Sequence, residues 1–315
     1  MPKVSVIVPN YNHAPFLKQR LESIFSQTFQ DFEIILLDDC STDNSIEILK
    51  EYSIHPKVSH FIINDINSCS PFKQWKKGIE LAKGEYIWIA ESDDWCELSL
   101  LEVLVYNTLK DEEIVVSYCQ SQIIHEDMSI RYTSTHPKMS EVVDGQRFTS
   151  ENMLIGNKIF NASMAIFKKS AFNSISDEYT KYKFCGDWLF WILILFQGKV
   201  NISGKVLNYF RYHSKNTSTF FYTSGLNYIE ELILLKYLKS LKILDQRLIF
   251  KALKTKYLFY IENSKNISIK NKGEITNCFK TNLSLYNRMG VYLKYCFLQF
   301  KLIVKIFIKN FDARS

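Results

Sequence analysis

Glycine and proline are scarce in this chain, 10 and 6 of 315 residues, which leaves little material for long flexible linkers. Long apolar runs are missing too. The longest candidate, residues 188–196, is nine residues, against the ~20 needed to span a bilayer, and it fits a buried helix better. Cysteine occurs seven times, at 40, 69, 96, 119, 185, 278 and 296, never as CxxC and in odd number. That spacing argues against a zinc site, and with no export signal reduced thiols in a cytosolic compartment are the expected state. The chain enters a strand pattern at once, Lys3-Val4-Ser5-Val6-Ile7-Val8, leaving no room for a signal peptide. No GxGxxG follows that strand and no GxxxxGKS/T occurs, which disfavours dinucleotide-binding dehydrogenases and P-loop enzymes. The glycine-rich signature of nucleotidyltransferases, internal repeats and low-complexity segments are also lacking.

What is present describes a folded protein. Hydrophobic residues make up 47% and aromatics 15%, enough to bury one large core or two smaller ones. The net charge of +6 is unevenly spread. Residues 220–315 hold 17 Lys and Arg against 6 Asp and Glu, so residues 1–219 carry a net −5. An acidic body joined to a basic tail is the implied organisation.

Along the body, apolar runs at 4–9, 33–37, 58–63 and 86–90 read as strands. Helical spacing at 15–29, 41–52 and 72–82 separates them. Strands alternating with helices imply βαβ units and a mostly parallel sheet, whose ligands sit beyond the carboxyl ends of the strands. Three polar segments fall at such ends: Pro9-Asn10-Tyr11, Asp38-Asp39 and Glu91-Ser92-Asp93-Asp94. The last is the most telling, because crowded carboxylates repel unless a cation holds them. Mg²⁺ or Mn²⁺ suits oxygen ligands there, and such an ion usually handles phosphate. The competing reading is a solvated acidic turn capping a helix that starts near Trp95. Further on, 97–109 and 187–196 read as helices and 114–119, 164–167 and 206–212 as strands. After residue 220 the pattern is helical.

Several of these segments together resemble family 2 glycosyltransferases. The opening Val4-Ser5-Val6-Ile7-Val8-Pro9-Asn10-Tyr11-Asn12 is followed by Ser26-Gln27-Thr28-Phe29. Next come Leu37-Asp38-Asp39-Cys40-Ser41-Thr42-Asp43, close to DDGSTD, then Gly78, then Ala82-Lys83-Gly84-Glu85-Tyr86-Ile87 leading to the acidic cluster. The match is ordered over residues 3–95, thins through 100–219 and is absent beyond. It implies an α/β GT-A fold, Rossmann-like, with a mostly parallel central sheet flanked by helices and a helical C-terminal extension. The domains implied are 1–219 (a nucleotide-binding half, 1–99, and an acceptor half, 100–219) and 220–315. The implied activity is metal-dependent, inverting transfer of a hexose from a nucleotide sugar, UDP-linked, to a glycan or lipid-linked glycan hydroxyl. The alternative is an inactive nucleotide-sugar-binding protein.

The resemblance also assigns residues. Asp39 would accept a hydrogen bond from the donor base, or cap the turn at Ser41. Pro9, Asn10 and Tyr11 would contact the same base, unless Tyr11 is core. Asp93 would hold Mg²⁺ or Mn²⁺ at the diphosphate, with Asp94 a second ligand or a helix cap. Glu91, where the family pattern has Asp, would contact ribose or metal beside Ser92. Asp187, in Cys185-Gly186-Asp187-Trp188, would be the general base. Relatives carry Glu where this chain has Gly186. His213 matches a metal or diphosphate contact, and Arg211 and Lys215 are candidate phosphate contacts. In 72–78, Trp75 and Lys76 stand where the family has Arg and Asn, and Trp75 is either core or functional. In the tail, apolar residues between 292 and 307 alternate with lysines four apart at 301, 305 and 309. Two readings follow: a helix on an anionic membrane surface, or a packed terminal helix with solvated lysines. With no recognised module, nucleic acid is not an expected partner. The expected place of action is the cytoplasm or its membrane face.

Overall fold

The computed structural model describes residues 1–213 and 217–312. The chain divides into two compact units, Met1–Lys215 and Asn216–Ser315. Lys215 itself lies outside the described residues.

The first unit opens with β1 (Val4–Asn10), α1 (Ala14–Phe25), β2 (Phe32–Asp38), α2 (Ser45–Ser53), β3 (Val58–Ile63), α3 (Pro71–Leu81) and β4 (Tyr86–Ile89). Every residue of β1, β2 and β4 is buried, as expected of parallel strands covered on both faces. They pair in the order β3-β2-β1-β4, all parallel. The register sets Asn10 beside Asp38 and Ile7 beside Ile89, so three strands end at one edge. Helix α3 lies close on β1: a Cβ at Gly78 would sit 2.4 Å from Ile7 Cγ2.

The rest of the unit is β5 (Trp95–Cys96), α4 (Leu100–Thr108), β6 (Ile114–His125), β7 (Ile130–Thr133), β8 (Ser140–Asp144), α5 (Gly145–Phe148), β9 (Ala165–Lys168), α6 (Lys169–Phe172), α7 (Gly186–Leu195) and β10 (Lys199–Tyr212). Strand β9 enters the sheet antiparallel between β4 and β6, while β6 and β10 run parallel. The sheet is thus parallel in its first half and mixed beyond. Strands joined by short turns must return antiparallel, since a parallel return needs a crossover of a dozen or more residues; β7 follows β6 after four residues. Trp95 begins no helix. It pairs with Tyr209 of β10 and stacks on its ring at 5.1 Å. Strands β6 and β10 run longer than their apolar runs suggest because they pair along most of their length. Helix α7 is apolar on all sides and buried except at Asp187.

The second unit is helical: α8 (Thr217–Ser224), α9 (Asn227–Leu241), α10 (Gln246–Asn263), α11 (Ile269–Asn282) and α12 (Leu285–Asp312). Leu235, Leu238, Ile249, Ile275 and Phe279 form its core, with Phe279 stacked on Tyr260 at 5.4 Å. A buried ion pair, Lys256 to Glu231 at 2.8 Å, joins α10 to α9. No helix among the described residues is long and apolar enough to cross a membrane.

Candidate active site

The edge where β1, β2 and β4 end gathers the polar segments singled out above. In the turn after β2, Asp38 is the structural member. It accepts from Ser41 N–H (2.8 Å), Ser41 Oγ (2.7 Å) and Asn10 Nδ2 (2.8 Å). The Asn10 amide nitrogen is therefore committed to the turn, while its Oδ1 is buried without a hydrogen-bond partner among the described residues. Asn12 (φ 55°) accepts from Thr42 N–H at 2.7 Å and ties the loop after β1 to it. Cys40 has φ 64°, the left-handed region that explains glycine in DDGSTD and strains a side chain here. Asp39 does not cap Ser41. Its Oδ1 accepts from Asn64 Nδ2, Ser68 N–H and Gln74 Nε2, and its Oδ2 from Ser68 Oγ. Tyr11 is 46% exposed, so its ring is not core, whereas Pro9 is buried in β1.

Beyond β4, each residue of the acidic cluster has a separate setting. Asp93 faces two imidazoles. His213, at the end of β10, places Nε2 3.1 Å from Asp93 Oδ2, and His13, at the start of α1, places Nδ1 2.8 Å from Ser92 Oγ. The two rings meet edge to face at 5.8 Å. One ligand atom from each of His13, Asp93 and His213 lies within 4.8 Å of the others. Burial would raise the Asp93 carboxyl, but the His213 hydrogen bond and both imidazoles outweigh it and hold it below its usual value.

Asp94 turns elsewhere. Its Oδ2 accepts from Asn161 Nδ2 (2.5 Å) and Ser163 Oγ (2.7 Å), and its Oδ1 from the Arg211 N–H (3.1 Å). Burial, with Asp93 nearby, pushes its pKa up to about 7. Glu91 accepts from Trp75 Nε1 at 2.8 Å, and its own N–H donates to Ser163 Oγ at 3.0 Å. Burial and the two aspartates push it up to about 8. Trp75 is thus both core and partner to the acidic cluster. Arg211 is built into the wall: Nε donates to the Asp93 carbonyl at 3.0 Å, Nη2 to Gln19 Oε1 at 2.7 Å, and the guanidinium lies over Trp95 at 4.6 Å. Arg20 of α1, fully buried over Trp88 at 4.8 Å, adds a positive charge that favours ionised Glu91 and Asp94.

Asp187 sits in the first turn of α7, where the helix dipole favours a carboxylate, and accepts from Asn157 Nδ2 at 2.9 Å. Residues 157–163 run from this carboxylate to the acidic cluster: Asn157 holds Asp187, Asn161 and Ser163 hold Asp94, and Ser163 also meets Glu91. Gly186 beside it has no room for a side chain. A Cβ there would fall 2.3 Å from Phe72 Cε2 and 2.6 Å from the Tyr179 carbonyl.

Sequence reasoning overlooked His13, although it directly follows Asn10-Tyr11-Asn12 in a loop already placed at the ligand edge. It also missed Asn157, Asn161 and Ser163, which carry no motif. Two imidazoles and a carboxylate make a donor set fit for a divalent ion that accepts nitrogen as well as oxygen.

A half-parallel sheet with its polar turns and carboxylates gathered at one edge is the GT-A architecture. The chain belongs to glycosyl transferase family 2, whose sequence profile matches residues 5–176. It is similar to glycosyltransferase GlyG of Streptococcus pneumoniae serotype 4, 31% identical over 204 residues, 58% of this chain and 64% of that protein. It is also similar to a poly(ribitol-phosphate) beta-glucosyltransferase of Bacillus spizizenii, 38% identical over 95 residues, 30% of this chain and 15% of that protein. The match thus takes in less than two thirds of either relative. Among solved structures, S. aureus TarS 1-349 in complex with UDP-GlcNAc shares the fold, with a TM-score of 0.68, 18% identity, and 88% of this chain and 79% of that one covered.

Proposed function

We propose that the protein transfers a sugar, with inversion, from a UDP-linked sugar to a hydroxyl of a glycan or lipid-linked glycan, on the cytoplasmic side of the cell. The observation that carries this reading is the His13–Asp93–His213 group at the end of β4 in a family 2 fold. A solved neighbour named for its UDP-GlcNAc complex supports the donor class. A divalent ion held by these three residues would neutralise the donor diphosphate and ease its departure.

The chain's own residues do the rest. Asp39 Oδ2, which accepts a single hydrogen bond where Oδ1 accepts three, meets an N–H of the base, and the exposed Tyr11 ring packs against it. Asp187, in the first turn of its helix and oriented by Asn157, takes the proton of the acceptor hydroxyl. As that oxygen bonds to the anomeric carbon, the carbon–oxygen bond to the diphosphate breaks and the nucleoside diphosphate leaves. Arg211 fixes the Asp93 backbone, and Asp94 and Glu91 anchor the 157–163 segment.

Gly186, in place of the family's Glu, favours a second reading, a nucleotide-sugar binder without turnover. Asp187→Asn separates the two. The enzyme reading expects turnover to fall by roughly 10²–10⁴-fold with UDP-sugar binding retained in a thermal-shift assay. Unchanged turnover would refute Asp187 as base. A wild-type protein that binds the donor without turning it over would leave the second reading standing.

A further inference from the structure

Helix α12 presents an apolar row away from its own packing side. Leu285, Met289, Leu293 and Phe297, four residues apart and so on one face, are 65%, 56%, 66% and 57% exposed. Tyr286 and Tyr292 flank the row and are exposed as well. Val291, which helical spacing puts on the opposite side, is buried, and α12 packs on α10. In the sequence, apolar residues follow at Phe300, Ile303, Phe307 and Phe311, in steps of three and then four. Residues 275–311 contain six Lys and Arg and no Asp or Glu.

Exposed apolar side chains in a row mark a binding surface, and the charge selects the occupant. A second copy of the helix would set like charges against each other. Nucleic acid would satisfy the lysines but leave the apolar row in water. An anionic lipid surface answers both, with acyl chains for the row and headgroups for the basic residues. We propose that α12 docks the protein on an anionic membrane surface, lying along it rather than crossing it. This stands apart from the transfer reaction and would hold equally for a protein without turnover.

The test is flotation of the full-length protein with vesicles of 3:1 phosphatidylcholine and phosphatidylglycerol, and with pure phosphatidylcholine. The expected result is binding to the mixed vesicles that falls on the order of tenfold or more without phosphatidylglycerol or in high salt. The Met289→Ser/Leu293→Ser variant should lose binding with an unchanged melting temperature, since both side chains are exposed. Lys294→Glu gives a second variant acting through charge alone and should weaken binding. Equal binding to both vesicle types would overturn the proposal. So would binding to an oligonucleotide or concentration-dependent dimerisation without vesicle binding, or a double variant that still floats.

Discussion

Gly186→Ala tests the packing beneath the proposed base. By helix propensity alone the change should stabilise, by up to about 1 kcal/mol, less at a first helical position. The surroundings oppose it. The new Cβ would lie 2.3 Å and 2.4 Å from two ring carbons of Phe72 and 2.6 Å from the Tyr179 carbonyl, where ordinary contacts begin at 3.4 Å. The ring would have to retreat by about 1 Å, but it is buried and set edge-on against Trp75 at 5.2 Å. Overpacking of this kind costs about 1–3 kcal/mol, so net destabilisation of roughly 1–2 kcal/mol should remain. For a unit this size that lowers the melting temperature by roughly 2–8 °C. If the start of α7 moves instead, Asp187 moves with it, and a shift of about 1 Å can lower turnover by on the order of 10²-fold. Thermal unfolding and turnover should be measured on Gly186→Ala, Phe72→Ala and the double variant. Removing the ring should make the double variant less destabilised than the sum of the singles. A Gly186→Ala protein as stable and active as wild type would refute the reasoning.

Three other outcomes are expected. Cys40→Gly should stabilise by up to about 1.5 kcal/mol, since a left-handed non-glycine residue costs about 1–2 kcal/mol and glycine returns roughly 0.4–1 kcal/mol of that to the unfolded chain. Cys40→Ala, which keeps the strain, should melt below it. Lys256→Met should destabilise the helical unit by about 3–5 kcal/mol in denaturant titration by stranding Glu231, and the Glu231→Met/Lys256→Met pair should recover much of the loss. His13→Ala and His213→Ala should each weaken Mn²⁺ binding, followed by calorimetry, by on the order of 10- to 100-fold. Unchanged affinity in either would remove that residue from the site.

The first half of the fold was legible because the buried parallel strands β1, β2 and β4 show as mostly apolar runs, and β1 to β4 all fall within a residue or two of the segments read as strands. The second half was harder to read. Strands β7 and β8 are short, hold no buried residue and pair with one neighbour each, so no apolar run marks them. The acidic cluster was visible as residue types, but the division of labour within it was not. Asp93, Asp94 and Glu91 are near neighbours in sequence, yet one faces His13 and His213, one Asn161 and Ser163, and one Trp75. Backbone direction at a strand end sets which way each carboxylate points, and partners up to 120 residues away supply what it meets.

By itself, then, the sequence determined the alternation of strand and helix, the edge at which the polar turns collect and the basic character of the helical tail, because periodicity and charge are local properties. Only the tertiary structure decided that His13 joins Asp93 and His213, that Asn10 and Asp38 serve the turn, and that Phe72 leaves no space at Gly186. Those outcomes depend on side chains brought together by packing across the whole sheet: a clash at 2.3 Å, a hydrogen bond at 3.1 Å and ligand atoms within 4.8 Å of one another.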